Sequence, residues 1–253
     1  IDAFTPNIFQ GNPAAVVVLE EWIETQLMQK IAAENNLSET AFICKNDGEY
    51  SIRWFTPVCE VDLCGHATLA SAHLVIYHLE TRRSAVVFSS KSGDLKVEIK
   101  DDLLCMNFPA VHSEKVGIPG ELVEALNVKP AELYQADDYM AVFNDEKTIF
   151  DLSPDFEKLR KLDVRGIIVT APSQSVDFVS RFFAPNVGIN EDPVTGSAHT
   201  KLVPYWSKRL GKKELKAEQL SKRRGTLWCK DLGDRVELMG NARIYMKGEI
   251  TTK

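Results

Sequence analysis

Three polar clusters hold the residues of this chain that could do chemistry. Leu37-Ser38-Glu39-Thr40-Ala41-Phe42 sets one carboxylate, Glu39, among apolar and hydroxyl neighbours at a predicted helix-to-strand junction. Asp62-Leu63-Cys64-Gly65-His66-Ala67-Thr68 and Glu191-Asp192-Pro193-Val194-Thr195-Gly196-Ser197-Ala198-His199 add an imidazole, a second acid and two helix starts. A carboxyl group in low-dielectric surroundings has its pKa raised, and acid–base catalysis works best near the operating pH. The inventory suits moving a proton on a small molecule, with no obvious cofactor site.

Each residue also has a plainer role open to it. Glu39 could merely punctuate the end of the preceding helix, and His66 could be a helix-terminal imidazole bonded to backbone. Asp192 could stabilise the helix that follows it by ~0.3–1 kcal/mol through the helix dipole. Asn12, in the turn Gly11-Asn12-Pro13 between two apolar strands, either reaches the site or serves the turn alone. Gly65 sits at one helix start, while Gly196 and Ser197 could present N–H groups and a hydroxyl to a carboxylate at the other. His73, His78 and His112 read as structural or solvated, and His199 ranks below the residues named first.

The elements that must position these groups occur in the same order twice. Apolar residues at Ile23, Leu27, Met28, Ile31 and Ala32 have helical spacing over 22–34. Strands are expected over 39–44 and 50–56 around an Asp47-Gly48 turn, followed by a largely apolar, buried helix over 66–79. A meander over 85–88, 95–99 and 103–107 completes the first half. In the second, a helix over 154–162 is expected to start at Ser153-Pro154. Strands over 166–170 and 177–183 follow, then a helix over 197–210 and strands near 215–217, 226–230, 235–239 and 243–246. A shift of 128 positions lays Arg53-Trp54-Phe55-Thr56-Pro57 on Arg181-Phe182-Phe183-Ala184-Pro185, and Cys64 on Asp192. An internal repeat of this kind decides the fold class.

The expected architecture is α/β (α+β): two pseudo-repeated halves, each a curved, mostly antiparallel sheet wrapped around a central helix. The halves are placed at 1–112 and 113–253, with the 243–253 strand a candidate to cross back, and the active site is expected in the cleft between them. Both helix starts would offer N–H groups and dipole to an anionic substrate there.

Bulk properties narrow the function. With 253 residues, 44% hydrophobic and 26% charged, the chain can bury the cores of an ordinary globular protein. A net charge of -6 argues against a nucleic-acid partner, and the absence of an 18-residue apolar run argues against a membrane span. No signal peptide is visible, a weak indicator in a chain that opens at Ile1. The five cysteines are scattered, which reads as reduced thiols in a cytoplasmic protein. Cys59, Cys64 and His66 match a zinc site poorly, and no metal is expected.

Gly11-Asn12-Pro13-Ala14-Ala15-Val16, Asn36 to Phe42, Arg53 to Pro57, Cys64 to Ala70 and Glu191 to His199, taken in order, resemble the phenazine-biosynthesis PhzF-like family over nearly the whole chain. The resemblance implies the diaminopimelate-epimerase-like fold. In the family's characterised isomerase, a glutamate in a Ser-Glu-Thr motif moves a proton on trans-2,3-dihydro-3-hydroxyanthranilate without cofactor or metal. That glutamate matches Glu39, the supporting histidine matches His66, and the acidic and hydroxyl partners match Asp192 and Ser197. Racemases of the same fold use two cysteines, one per half; here Cys64 resembles the first and the second is lacking. The leading expectation is therefore a cofactor-independent isomerase acting on a small carboxylated substrate, and a homodimer. The alternatives are a metabolite-binding or protein-interaction member without turnover, and a racemase or epimerase.

Overall fold

The computed structural model describes residues 1–46 and 48–252, so Asp47 of the predicted Asp47-Gly48 turn lies outside the described residues. The chain forms two compact units, Ile1–Met106 with Gly240–Lys253, and Asn107–Met239.

In the first unit, β1 (Asp2–Ala3) leads to β2 (Asn12–Leu19), α1 (Thr25–Asn35), β3 (Glu39–Asn46), β4 (Glu49–Phe55) and β5 (Glu60–Val61). Helix α2 (Gly65–Leu74) and strands β6 (Ala85–Ser90), β7 (Gly93–Lys100) and β8 (Leu103–Pro109) follow. β2 and β3 pair in parallel, β4 is antiparallel to β3, and β6 returns parallel beside β4. Helix α1 buries Met28, Ile31 and Ala32 in a cluster with Phe42 and Phe55, as its periodicity requires, and ends on Asn36 at φ 48. Helix α2 has no polar face to spare. His66 through Ala72 are all buried, and the alanines at 67, 70 and 72 let sheet close around it. The helix expected to run to 79 changes pitch after Leu74 and finishes as a π-helical segment, Val75–Leu79.

The second unit begins with β9 (Glu114–Val116), α3 (Gly120–Leu126), β10 (Glu132–Gln135), β11 (Tyr139–Val142), α4 (Glu146–Asp151) and α5 (Phe156–Leu159). It continues through β12 (Ile167–Pro172), β13 (Phe178–Ala184), β14 (Ile189–Asp192), α6 (Gly196–Leu210), β15 (Glu214–Gln219), β16 (Gly225–Asp231) and β17 (Arg235–Gly240). β11 and β12 are parallel, β13 is antiparallel to β12, and β15 returns parallel beside β13. This is the pairing scheme of β2, β3, β4 and β6, element for element. Tyr50 pairs with Phe88 at the β4–β6 junction, and Phe178 with Ala217 at the β13–β15 junction.

The 128-residue offset holds between β4 and β13, yet the helix starts, Gly65 and Gly196, stand 131 apart (196 minus 65). Counted from the equivalent residues Phe55 and Phe183, the start of α6 lies three residues further on than the start of α2. The counterpart of Cys64, the residue preceding α2, is therefore Thr195, which precedes α6 in the same extended conformation; it is not Asp192.

Two further corrections concern one helix start and one strand. The helix expected at 154–162 is only α5, and its cap is Asp155 rather than Ser153: the Asp155 carboxylate accepts from the N–H groups of Glu157 and Lys158. The strand expected over 243–246 is confined to β18 (Ala242–Arg243), which pairs with β1 in the first unit. Inside the second unit Trp206 stacks on Phe178 at 5.6 Å and donates to Thr170 Oγ1 at 2.9 Å, which donates to the Val179 carbonyl. Among the described residues no helix is long and apolar enough to cross a membrane.

Candidate functional site

Strand pairing explains why the first unit's polar residues meet. Glu39 opens β3 opposite Ala14 of the parallel neighbour β2. Side chains two apart on a strand share a face, so Asn12, Ala14 and Glu39 project to one side. His66 stands in the first turn of α2, next to Gly65. Asn12 Nδ2 lies 3.2 Å from His66 Nδ1, Cys64 Sγ lies 3.5 Å from the same nitrogen, and Glu39 Oε2 lies 3.4 Å from His66 Nε2. Asn12, Glu39, Gly65 and His66 are thus brought together.

The positioning of Asn12 is bought with backbone strain nearby: Phe4 (φ 61), Phe9 (φ 69) and Gly11 (φ 66) all occupy the left-handed region. Gly11 is obligatory there, because a Cβ would stand 2.1 Å from the Ala3 carbonyl oxygen.

Burial holds the proton affinity of His66 down to about 3, so its imidazole is neutral in ordinary buffers. Asn12, through its amide nitrogen, donates to Nδ1, which assigns the ring proton to Nε2 on the Glu39 side. The 3.4 Å approach to Glu39 has ion-pair distance but not hydrogen-bond geometry. With a neutral ring, it is a contact between an N–H dipole and a carboxylate rather than a salt bridge. His66 is sealed, whereas the Glu39 side chain retains 14% of its exposure.

Ligand atoms of Glu39, Cys64 and His66 lie within 4.8 Å of one another, a set able in principle to receive an ion. The sulfur faces one ring nitrogen and the carboxylate the other, so the three do not converge on a point as tetrahedral zinc ligands do.

In the second unit, Asp192 closes β14 and turns into α6. Its Oδ2 accepts from Thr195 Oγ1 at 2.6 Å, and its carbonyl accepts from Gln219 Nε2 at 2.8 Å. Gln219 Oε1 in turn accepts from the Thr195 N–H. Gly196 is buried and Ser197 exposed at the helix start. Asp192, Gly196 and Ser197 are brought together here. Neither Cys64 nor Thr195 makes a side-chain cap bond, and neither helix has an acid in its first turn. His199 has a structural role: its Nδ1 donates to the Thr195 carbonyl at 2.8 Å in full burial, which holds its proton affinity down to about 4.

Sequence reasoning missed one arrangement. Buried Asp138 takes Arg165 in a two-point contact, with Arg165 Nη2 also 3.3 Å from Ser197 Oγ, and binds the buried Lys201 at 3.0 Å. Asp138 and Arg165 lie in segments that read as loop, and Lys201 looks like a surface lysine. The only signal was the charge density of Asp137, Asp138 and Arg165 near an otherwise apolar sheet.

A family model described as phenazine biosynthesis-like protein, PhzC-PhzF, matches residues 1–248. The chain belongs to this family. It is 53% identical over 250 residues to a Pseudomonas aeruginosa protein named an uncharacterized isomerase, covering 99% of this chain and 96% of that protein. The crystal structure of a PhzF-family phenazine biosynthesis protein from Enterococcus faecalis matches with a TM-score of 0.96 at 47% identity, over 99% of this chain and 96% of that one. A hydroxyproline epimerase from Agrobacterium vitis shares the fold alone, with a TM-score of 0.54 at 8% identity over 83% of this chain and 75% of that one. The fold is the α/β, diaminopimelate-epimerase-like one.

Proposed function

We propose that the protein is an isomerase in which Glu39 removes a proton from one carbon of a small carboxylated substrate and returns it to another, without a cofactor. The C–H bond breaks toward Glu39 and its electron pair moves into the substrate's unsaturated system. The same proton, or one exchanged on the carboxyl group, then closes a new C–H bond. The observation carrying this reading is a partly exposed carboxylate held 3.4 Å from the Nε2 of a neutral, sealed imidazole. Such an imidazole does not compete for the proton near neutrality. Its Nε2–H dipole faces the Glu39 carboxylate and favours the charged form that takes the proton. The uncapped starts of α2, at Gly65, and of α6, at Gly196 and Ser197 with Asp192 holding its turn, each suit a carboxylate. The name of the Pseudomonas relative, an isomerase, supports the class.

The test is deuterium wash-in from D2O, read by mass spectrometry, over small unsaturated and amino-substituted carboxylic acids including trans-2,3-dihydro-3-hydroxyanthranilate. Exchange in the wild type that vanishes in Glu39→Gln is expected; exchange that survives in Glu39→Gln overturns the assignment. A second reading, epimerisation between Glu39 and Cys64, is favoured by the 3.5 Å approach of Cys64 to His66. Cys64→Ser separates them, abolishing exchange only in the second.

A further inference from the structure

The second unit holds a pocket of about 470 Å³ that none of the candidate site residues lines. Its size is that of a small-molecule site, which typically spans ~300–1,000 Å³. Two tyrosine rings, Tyr134 and Tyr205, meet edge to face at 5.1 Å on its wall. Val111, Met140 and Pro204 supply apolar surface around them. Pro204 breaks the regular hydrogen bonding of α6, and the Thr200 carbonyl it leaves over is taken by the N–H of Val111 at 3.0 Å. That bond ties the loop entering the pocket to the helix, so the wall is built into the fold.

The polar groups of the pocket share one character. Lys201, Lys208 and Arg209 line it, and among the described residues no carboxylate does. Lys201 is committed to Asp137 and Asp138, and Arg209 to Glu132 and the Tyr205 oxygen. Lys208 is exposed and makes no ion pair among the described residues. Burial pushes the Tyr205 phenol up to about 12, so its hydroxyl keeps its proton, and that hydroxyl accepts from Arg209. The Ser113 hydroxyl is buried with no hydrogen-bond partner. An uncommitted ammonium, a phenolic proton and an orphaned hydroxyl beside flat aromatic walls call for an acceptor with negative charge on a planar apolar body.

We propose that this pocket binds a small aromatic carboxylate, its ring against Tyr134 and Tyr205 and its carboxylate on Lys208 and Ser113. The site shares no residue with the proton-transfer cluster, so the ligand is an effector or second ligand rather than the reacting substrate.

The test is calorimetric titration of the full chain with benzoate at fixed ionic strength. Benzamide, which lacks the charge, and cyclohexanecarboxylate, which lacks the flat ring, run alongside. Saturable benzoate binding is expected, weaker by about tenfold in Lys208→Gln, the loss of one charge-assisted contact. Binding is expected to weaken also in Tyr205→Leu and for both control compounds, and to be unchanged in Glu39→Gln. Absence of saturable binding, indifference to Lys208→Gln and Tyr205→Leu, equal affinity for the controls, or loss in Glu39→Gln would each overturn the proposal. Because Lys208 lies on the surface, its replacement leaves the fold intact as a control for Tyr205→Leu.

Discussion

Lowering the pH from 7.5 to 5 is expected to remove about 4 kcal/mol of stability through two imidazoles alone. His66 falls from 6.5 to about 3 on folding and His199 from 6.5 to about 4, in each case first because burial penalises the charged ring. Between those values and 6.5 the unfolded chain binds more protons than the folded one, so stability drops as pH falls through the window. At pH 5 the linkage amounts to about 2 kcal/mol for each residue. That is a large share of the ~5–15 kcal/mol by which domains are usually stable. The low-pKa carboxylates contribute elsewhere: Glu60 and Glu132, each held down to about 2 mainly by hydrogen bonds from Arg53 and Lys115, lose their contribution below 4.5. Urea unfolding at steps from pH 7.5 to 5, read by buried Trp54 in the first unit and Trp206 in the second, measures the effect unit by unit. His199→Gln is expected to be less stable at pH 7.5 and to show a pH slope about 2 kcal/mol shallower in the second unit. A wild type whose stability is flat across the window, or a variant with an undiminished slope, would refute the burial argument.

Three further outcomes follow from particular contacts. Asn12→Ala removes the donor to His66 Nδ1 and with it the tautomer; kcat is expected to fall at least about tenfold with KM little changed, the loss of ~1.4 kcal/mol felt in the transition state. Gly11→Ala forces a Cβ against the Ala3 carbonyl at positive φ and is expected to cost more than ~2 kcal/mol of unfolding free energy, whereas Gly48→Ala, where the added Cβ meets nothing, costs ~1 kcal/mol. Thr170→Val keeps shape but strands the Trp206 N–H, and urea melts followed at Trp206 are expected to lose about 1–3 kcal/mol.

Legibility in the sequence followed the strength of local signals. The apolar run of α2 and the periodicity of α1 and α6 sufficed to place three helices, and most strands of the two meanders fell where alternation put them. Short elements were lost: α3 and α4 are a turn or two long, too brief for a period to show, and the α5 cap competed with a Ser-Pro pair of equal appeal. Glu39 and His66 could be named because acids and imidazoles are scarce in apolar contexts. Their mutual distance could not, since it depends on Ala14 of β2 pairing with Glu39. The Asn12–His66 contact spans 54 residues. Lys201 escaped notice because burial of a lysine depends wholly on a tertiary carboxylate, here Asp138, 63 positions earlier (201 minus 138). The longer β13–α6 turn likewise hid the equivalence of Cys64 and Thr195.

That equivalence bears on stereochemistry and isotope accounting. Two thiols working as a pair give one face of a carbon a solvent proton while the other face loses its own, so the centre inverts and the abstracted isotope is diluted into water. In this chain the position equivalent to Cys64 is Thr195, a hydroxyl already engaged with Asp192, which has no basicity to offer near neutrality. In the mechanism we propose, Glu39 both takes and gives the proton. A tritium label at the abstracted position would reappear in the product on the face it left, a suprafacial shift with internal return. The returned fraction and the fraction washed in from solvent would sum to one, dividing according to how long the labelled carboxyl group waits in its mostly covered position before delivering.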